Sequence, residues 1–118
     1  MFAARSSTWS SARESSGLPA ESHMRLELTP RARAEVMEAT AWYLEEGDIE
    51  VGLRFAEELD RTFDRIATNP LAWTHLERGI RRALVQGFPY AVLYCVEAER
   101  VEVFAVMHQR RHPDRWER

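Results

Sequence analysis

Lysine is absent from this chain of 118 residues: all 16 of its basic residues are arginine. Arginine does not deprotonate in proteins, so no side chain here can form a Schiff base or serve as an amine base. Cysteine is almost absent too. Cys95 stands alone, which excludes a disulfide within the chain and fits a reducing compartment such as the cytoplasm. Set between Tyr94 and Val96, it reads as a small buried hydrophobe. No apolar run approaches the ~18 residues needed to cross a bilayer, so no membrane association is expected. A phosphate-cradling P-loop and a G-x-S-x-G elbow are both missing, and His75 has no histidine or cysteine partner at ligand spacing. No cofactor and no metal are expected.

What is present is an ordinary globular composition, 45% hydrophobic and 30% charged, enough for one domain. The net charge of -3 argues against a general coat for nucleic acid, but it conceals an asymmetry. Residues 30–66 hold 5 Arg and 10 acids, whereas residues 67–118 hold 8 Arg and 6 acids, so the second half is basic. Residues 1–23 contain seven Ser and no apolar face, and they read as a disordered extension or leader. Met24 then opens a domain spanning 24–118.

Within that domain the hydrophobic period sets the elements. Leu26 and Leu28 alternate as a short strand. Thr29-Pro30 starts a helix with the stripe Ala32, Val36, Ala39 and Tyr43, and Gly47 ends it in the C′ position. Asp48 caps a second helix with the stripe Phe55, Leu59, Phe63 and Ile66, stopped by Asn69-Pro70. Glu50–Arg54 and Glu57–Arg61 are expected to pair on its wet side. The short link makes the two helices an antiparallel αα-hairpin. A loop with Trp73 and His75 follows, and then the period falls to 2. Residues 80–86, 90–96 and 101–107 read as three antiparallel strands, the middle one apolar on both faces and therefore central. The fold class is α+β: a strand, an αα-hairpin, a three-stranded meander completing a sheet, and a short C-terminal turn or helix.

The ordered set Gly79-Ile80-Arg81-Arg82, Phe88-Pro89-Tyr90 with Tyr94, and His108-x-Arg110-x-x-Pro113-x-x-Trp116 resembles the RelE/ParE superfamily of bacterial toxins over 24–118. The resemblance implies the toxin half of a type II toxin–antitoxin module, causing growth inhibition and plasmid stabilisation, and neutralised by a cognate antitoxin. ParE-like members inhibit DNA gyrase and are not nucleases; RelE-like members cut messenger RNA on the ribosome. Cleavage by 2′-OH attack needs a proton acceptor, positive charge at the phosphate and a proton for the leaving oxygen. On the RelE-like reading the catalytic candidates are Arg81, Arg82, His108, Arg110 and Trp116, with His112 as a further titratable group. The lysines of that branch are missing, and Trp116 stands where a proton-handling tyrosine is expected, so the ParE-like branch is favoured. A third reading is a non-toxic protein-binding module on the same scaffold.

Each candidate also has a plain reading. Arg81 and Arg82 alternate onto opposite faces, where surface pairs with Glu77 or Glu102 would occupy them. His108 at a strand end would hydrogen-bond a backbone carbonyl, and Tyr90 and Tyr94 would be core. In the closing residues Pro113 rigidifies a turn and Trp116 folds back as an anchor. Arg110, Arg111 and Arg115 are then offered, with Trp116, to a partner.

Overall fold

A computed structural model describes residues 24–110. The extension at 1–23 lies outside the described residues. So do Arg111, His112, Pro113, Arg115 and Trp116, and with them the expected anchor and most of the C-terminal turn.

Strand β1 (Arg25–Leu28) buries Leu26 and Leu28 and turns Arg25 and Glu27 outward, as its alternation requires. Helix α1 (Pro30–Glu46) starts where Thr29 Oγ1 accepts the Ala32 N–H at 3.1 Å, with proline at the first helical position. Ala32, Val36 and Ala39 are buried beneath it. Gly47 ends the helix, but not in the left-handed conformation expected of a C′ glycine: its φ is -89°. Glycine is needed there for space. A Cβ would lie 2.9 Å from the Tyr43 carbonyl oxygen and 3.1 Å from Val51. Asp48 Oδ1 then accepts the Val51 N–H at 2.9 Å and opens α2 (Ile49–Thr68).

Phe55, Leu59, Phe63 and Ile66 are all 0–1% exposed, so the α2 stripe is core throughout. The two helices approach closely at Gly52, where a Cβ would meet the Leu44 side chain at 2.3 Å. The wet side of α2 differs from expectation. Arg61 pairs with Glu58 at 2.7 Å rather than with Glu57, and Arg54 lies over the Phe88 ring at 5.6 Å. A guanidinium beside an aromatic face has a better partner there than a fully solvated carboxylate.

A 3₁₀ turn (Pro70–Ala72) follows α2, and Thr74–His75 form β2, a two-residue edge strand where the sequence suggested only loop. Strands β3 (Ile80–Leu84), β4 (Tyr90–Glu97) and β5 (Arg100–His108) complete a five-stranded sheet in the order β1-β5-β4-β3-β2. All neighbours are antiparallel except β1 and β5, which run parallel because the helical hairpin is the crossover between β1 and the meander. β4 is central, with its first six residues buried.

The pairing of β4 with β5 shifts at Leu93/Tyr94: Leu93 opposes Ala105 while Tyr94 opposes Val103, leaving Phe104 as the extra residue of a bulge. The bulge divides the core. Val101, Val103 and Val106 join the cluster beneath the helices. Phe104, Ala105 and Met107 join Ile80 and Leu93 in a second cluster on the other sheet face.

Candidate functional site

Adjacent on β3, Arg81 and Arg82 point to opposite faces of the sheet. Arg81 lies between His75 and Tyr94 in the register, and Arg82 between Thr74 and Leu93. The Arg81 guanidinium is already engaged: Nη1 donates to the carbonyls of Trp73 at 2.7 Å and Leu71 at 3.2 Å. From the neighbouring strand, the Tyr94 hydroxyl donates to the carbonyl of Pro70. Together these two side chains fasten the 3₁₀ turn and its exit to the sheet. Burial pushes the Tyr94 phenol up to about 12, with Arg81 pulling it partway back. A phenol held neutral to that pH is no acid–base group near pH 7. Tyr90 is likewise core, at 4% exposure.

The expected ion pair of Arg81 is replaced by backbone contacts. Glu102 instead faces Arg100 at 3.8 Å, while Arg82 Nε is buried without a hydrogen-bond partner. Arg81 found backbone carbonyls because the turn after α2 runs across the sheet edge within its reach.

His108 ends β5, edge-on to the Tyr90 ring with centroids 5.2 Å apart. Its Nδ1 accepts the backbone N–H of Arg110, two residues on, at 3.1 Å. An Nδ1 that accepts leaves the ring proton on Nε2 in the neutral imidazole. The Arg110 side chain is exposed just beyond.

These candidates do not form one site. Arg81 stands opposite Tyr94 and His108 opposite Tyr90, four residues apart on β4, with β3 and β5 on either side of it. That places them roughly 13 Å apart along the strands and roughly 10 Å across them. The arginines of β3 and the His108–Arg110 end of β5 are two separate places. Trp116, Arg111 and Arg115 lie outside the described residues.

The sequence reading missed a cavity of about 390 Å³ between α1 and the end of β5. Glu35, Glu38, Trp42, Glu45, Tyr90 and His108 line it. The available signal was a tryptophan off the core stripe of α1, flanked at i-4 and i+3 by glutamates. Elsewhere the ligand atoms of Cys95, Glu97 and Glu102 lie within 4.8 Å of one another. Arg100 sits 3.9 Å from Glu97 and 3.8 Å from Glu102, so a guanidinium already answers those carboxylates. Among the described residues, no helix is long and apolar enough to cross a membrane.

Comparison with known proteins gives a consistent picture. Residues 26–113 match the family described as ParE toxin of type II toxin–antitoxin system, parDE. A solved structure titled "Chromosomal ParDE TA system from P. aeruginosa" contains a similar chain, with a TM-score of 0.65 and 13% identity. The likeness covers 73% of this chain and 96% of that one, and at such low identity it speaks for the fold. No curated protein matches the sequence.

Proposed function

The chain belongs to the ParE toxin family of type II toxin–antitoxin systems, and from that premise we propose that it arrests growth by inhibiting DNA gyrase in the cytoplasm. Its other partner is a cognate antitoxin that silences it. The observation supporting gyrase over messenger RNA is the scatter of the candidate nuclease residues. Arg81 is spent on the carbonyls of Leu71 and Trp73, and His108 stands far from it beyond β4. Phosphoryl chemistry needs charge and proton transfer focused within a few ångströms of one phosphate. The chain has no lysine to fill that gap. Binding another protein needs no such convergence.

We assign Arg110, with Arg111, Arg115 and Trp116, to partner contact. Arginine and tryptophan are the residues that concentrate binding energy at interfaces. Exchanging Arg110 and Arg111 for glutamate weakens the antitoxin complex; an unchanged affinity in calorimetry removes these residues from the interface. Growth separates a toxin from a harmless binding module. Induction of the chain alone should stop division, and co-expression of the adjacent antitoxin should restore it. Primer extension on translated messenger RNA should show no new cuts. Codon-positioned cuts that vanish in His108→Ala or Arg110→Ala would make this a ribosome-dependent endonuclease.

A further inference from the structure

The cavity beside α1 has a composition suited to one kind of guest. Glu38, Trp42 and Glu45 follow one another at spacings of four and three, so they share one face of the helix. The Trp42 indole is 46% exposed and is braced edge-on by Tyr43, with ring centroids 5.1 Å apart. Glu38 and Glu45 make no hydrogen bond or ion pair among the described residues. They sit roughly 10 Å apart along the helix axis, on either side of the indole. Glu35, deeper in the cavity, is already committed to the Val106 N–H at 2.8 Å and to Arg31 at 3.2 Å. The opposite wall is formed by Tyr90 and His108.

Next to this stripe runs a second, Met37, Ala41 and Leu44, at the same spacings and also exposed; Met37 is 50% and Leu44 38% accessible. A helix face left to solvent is usually covered with charged and polar residues. Here the two glutamates lie between the open indole on one side and Met37 and Leu44 on the other, where Leu44 leans on Gly52 of α2. An exposed indole flanked by carboxylates is suited to a cation. The sign of these carboxylates rules out nucleic acid, whose phosphates they repel. Among cations, the guanidinium fits best. It is planar and weakly hydrated, it stacks on an aromatic face, and its edge donors match a carboxylate.

We propose that α1 seats a basic segment of a partner protein, which lays an arginine guanidinium on the Trp42 indole between the Glu38 and Glu45 carboxylates. The proposal rests on the reading that this chain acts by binding other proteins, and not on which protein is its target. It also assigns acids on the toxin to bases on the partner. That charge pairing is opposite in sign to the one assigned to Arg110, so the two sites accept different stretches of a partner.

The test uses a fluorescent synthetic helical peptide of 16 residues with a single arginine at its centre and alanines on the turns to either side. A second peptide carries citrulline, which keeps the shape and loses the charge. Anisotropy is read with the full chain, with Glu38→Gln/Glu45→Gln, and with Trp42→Ala. All three residues are exposed, and far-UV circular dichroism checks that each variant is folded. The expected result is at least tenfold tighter binding of the arginine peptide than of the citrulline peptide. That preference should vanish in the double glutamine variant, and overall binding should fall at least tenfold in Trp42→Ala. Equal binding of the two peptides overturns the proposal. So does an undiminished preference in the glutamine variant, or no binding of the arginine peptide at millimolar concentration. Growth arrest is scored separately for the wild-type chain: if it persists while the peptide preference is absent, this inference fails and the toxin reading stands.

Discussion

Glu35 of α1 accepts the backbone N–H of Val106 of β5 at 2.8 Å. β1 pairs with β5 only as far as Val103, and among the described residues no strand continues along that edge from the bulge onward. One carboxylate therefore covers a stretch of sheet that would otherwise present unpaired groups to other strands. Glu35→Ala should lower stability by about 1.5–3 kcal/mol, the range for hydrogen bonds to charged groups. Urea denaturation checks this, and a midpoint equal to that of the wild-type chain would show the contact to be incidental.

The neighbouring arginines of β3 should respond unequally to truncation. Arg81→Ala strips the carbonyls of Leu71 and Trp73 of their donor and should cost about 2–3 kcal/mol. Arg82→Ala removes no recorded hydrogen bond and should cost less than about 1 kcal/mol. Thermal unfolding of both variants measures the difference. Equal losses would contradict the structural role given to Arg81.

Alkaline pH should find Tyr94. Its phenol stays protonated in the fold to about 12, whereas an exposed tyrosine releases its proton near 10. In the interval the unfolded chain binds fewer protons than the folded one. Tyr94's contribution is thus complete below about pH 10 and is lost as pH rises toward 12. Its size is roughly 2–3 kcal/mol. Tyr94→Phe should have lower stability at neutral pH, having lost the bond to Pro70, but a flatter decline above pH 10. Parallel declines in the two proteins would remove Tyr94 as the cause.

The β4–β5 hairpin holds Ala98 at a φ of 51°, a conformation that favours glycine. Ala98→Gly should stabilise the domain by about 0.5–1 kcal/mol, read as a higher denaturant midpoint, since the left-handed strain exceeds the entropy glycine adds to the unfolded chain. A lower midpoint would show that the turn tolerates its alanine without strain.

The elements of the fold were legible because their signals are local. Thr29-Pro30 and Asp48 start helices by hydrogen bonds that span three residues, and the stripe from Phe55 to Ile66 repeats over a single helix. β2 was missed because two residues make no period. The bulge at Phe104 was hidden for a related reason: "VEVFAVM" is apolar at six of its seven positions, so alternation cannot reveal where the faces exchange. The candidate site was legible only as residue types. Opposite faces for Arg81 and Arg82 follow from strand geometry, but Arg81's hold on the turn after α2 depends on a contact across ten residues of chain. The cavity at Trp42 joins α1 to β5, and such a juxtaposition leaves no periodic trace.

Supercoiling of relaxed plasmid by purified gyrase tests the central claim most directly. With the full chain added, the account predicts loss of supercoiled product or accumulation of trapped cleavage complexes, and recovery when the antitoxin is supplied. Full-rate supercoiling in the presence of saturating, folded toxin would contradict it.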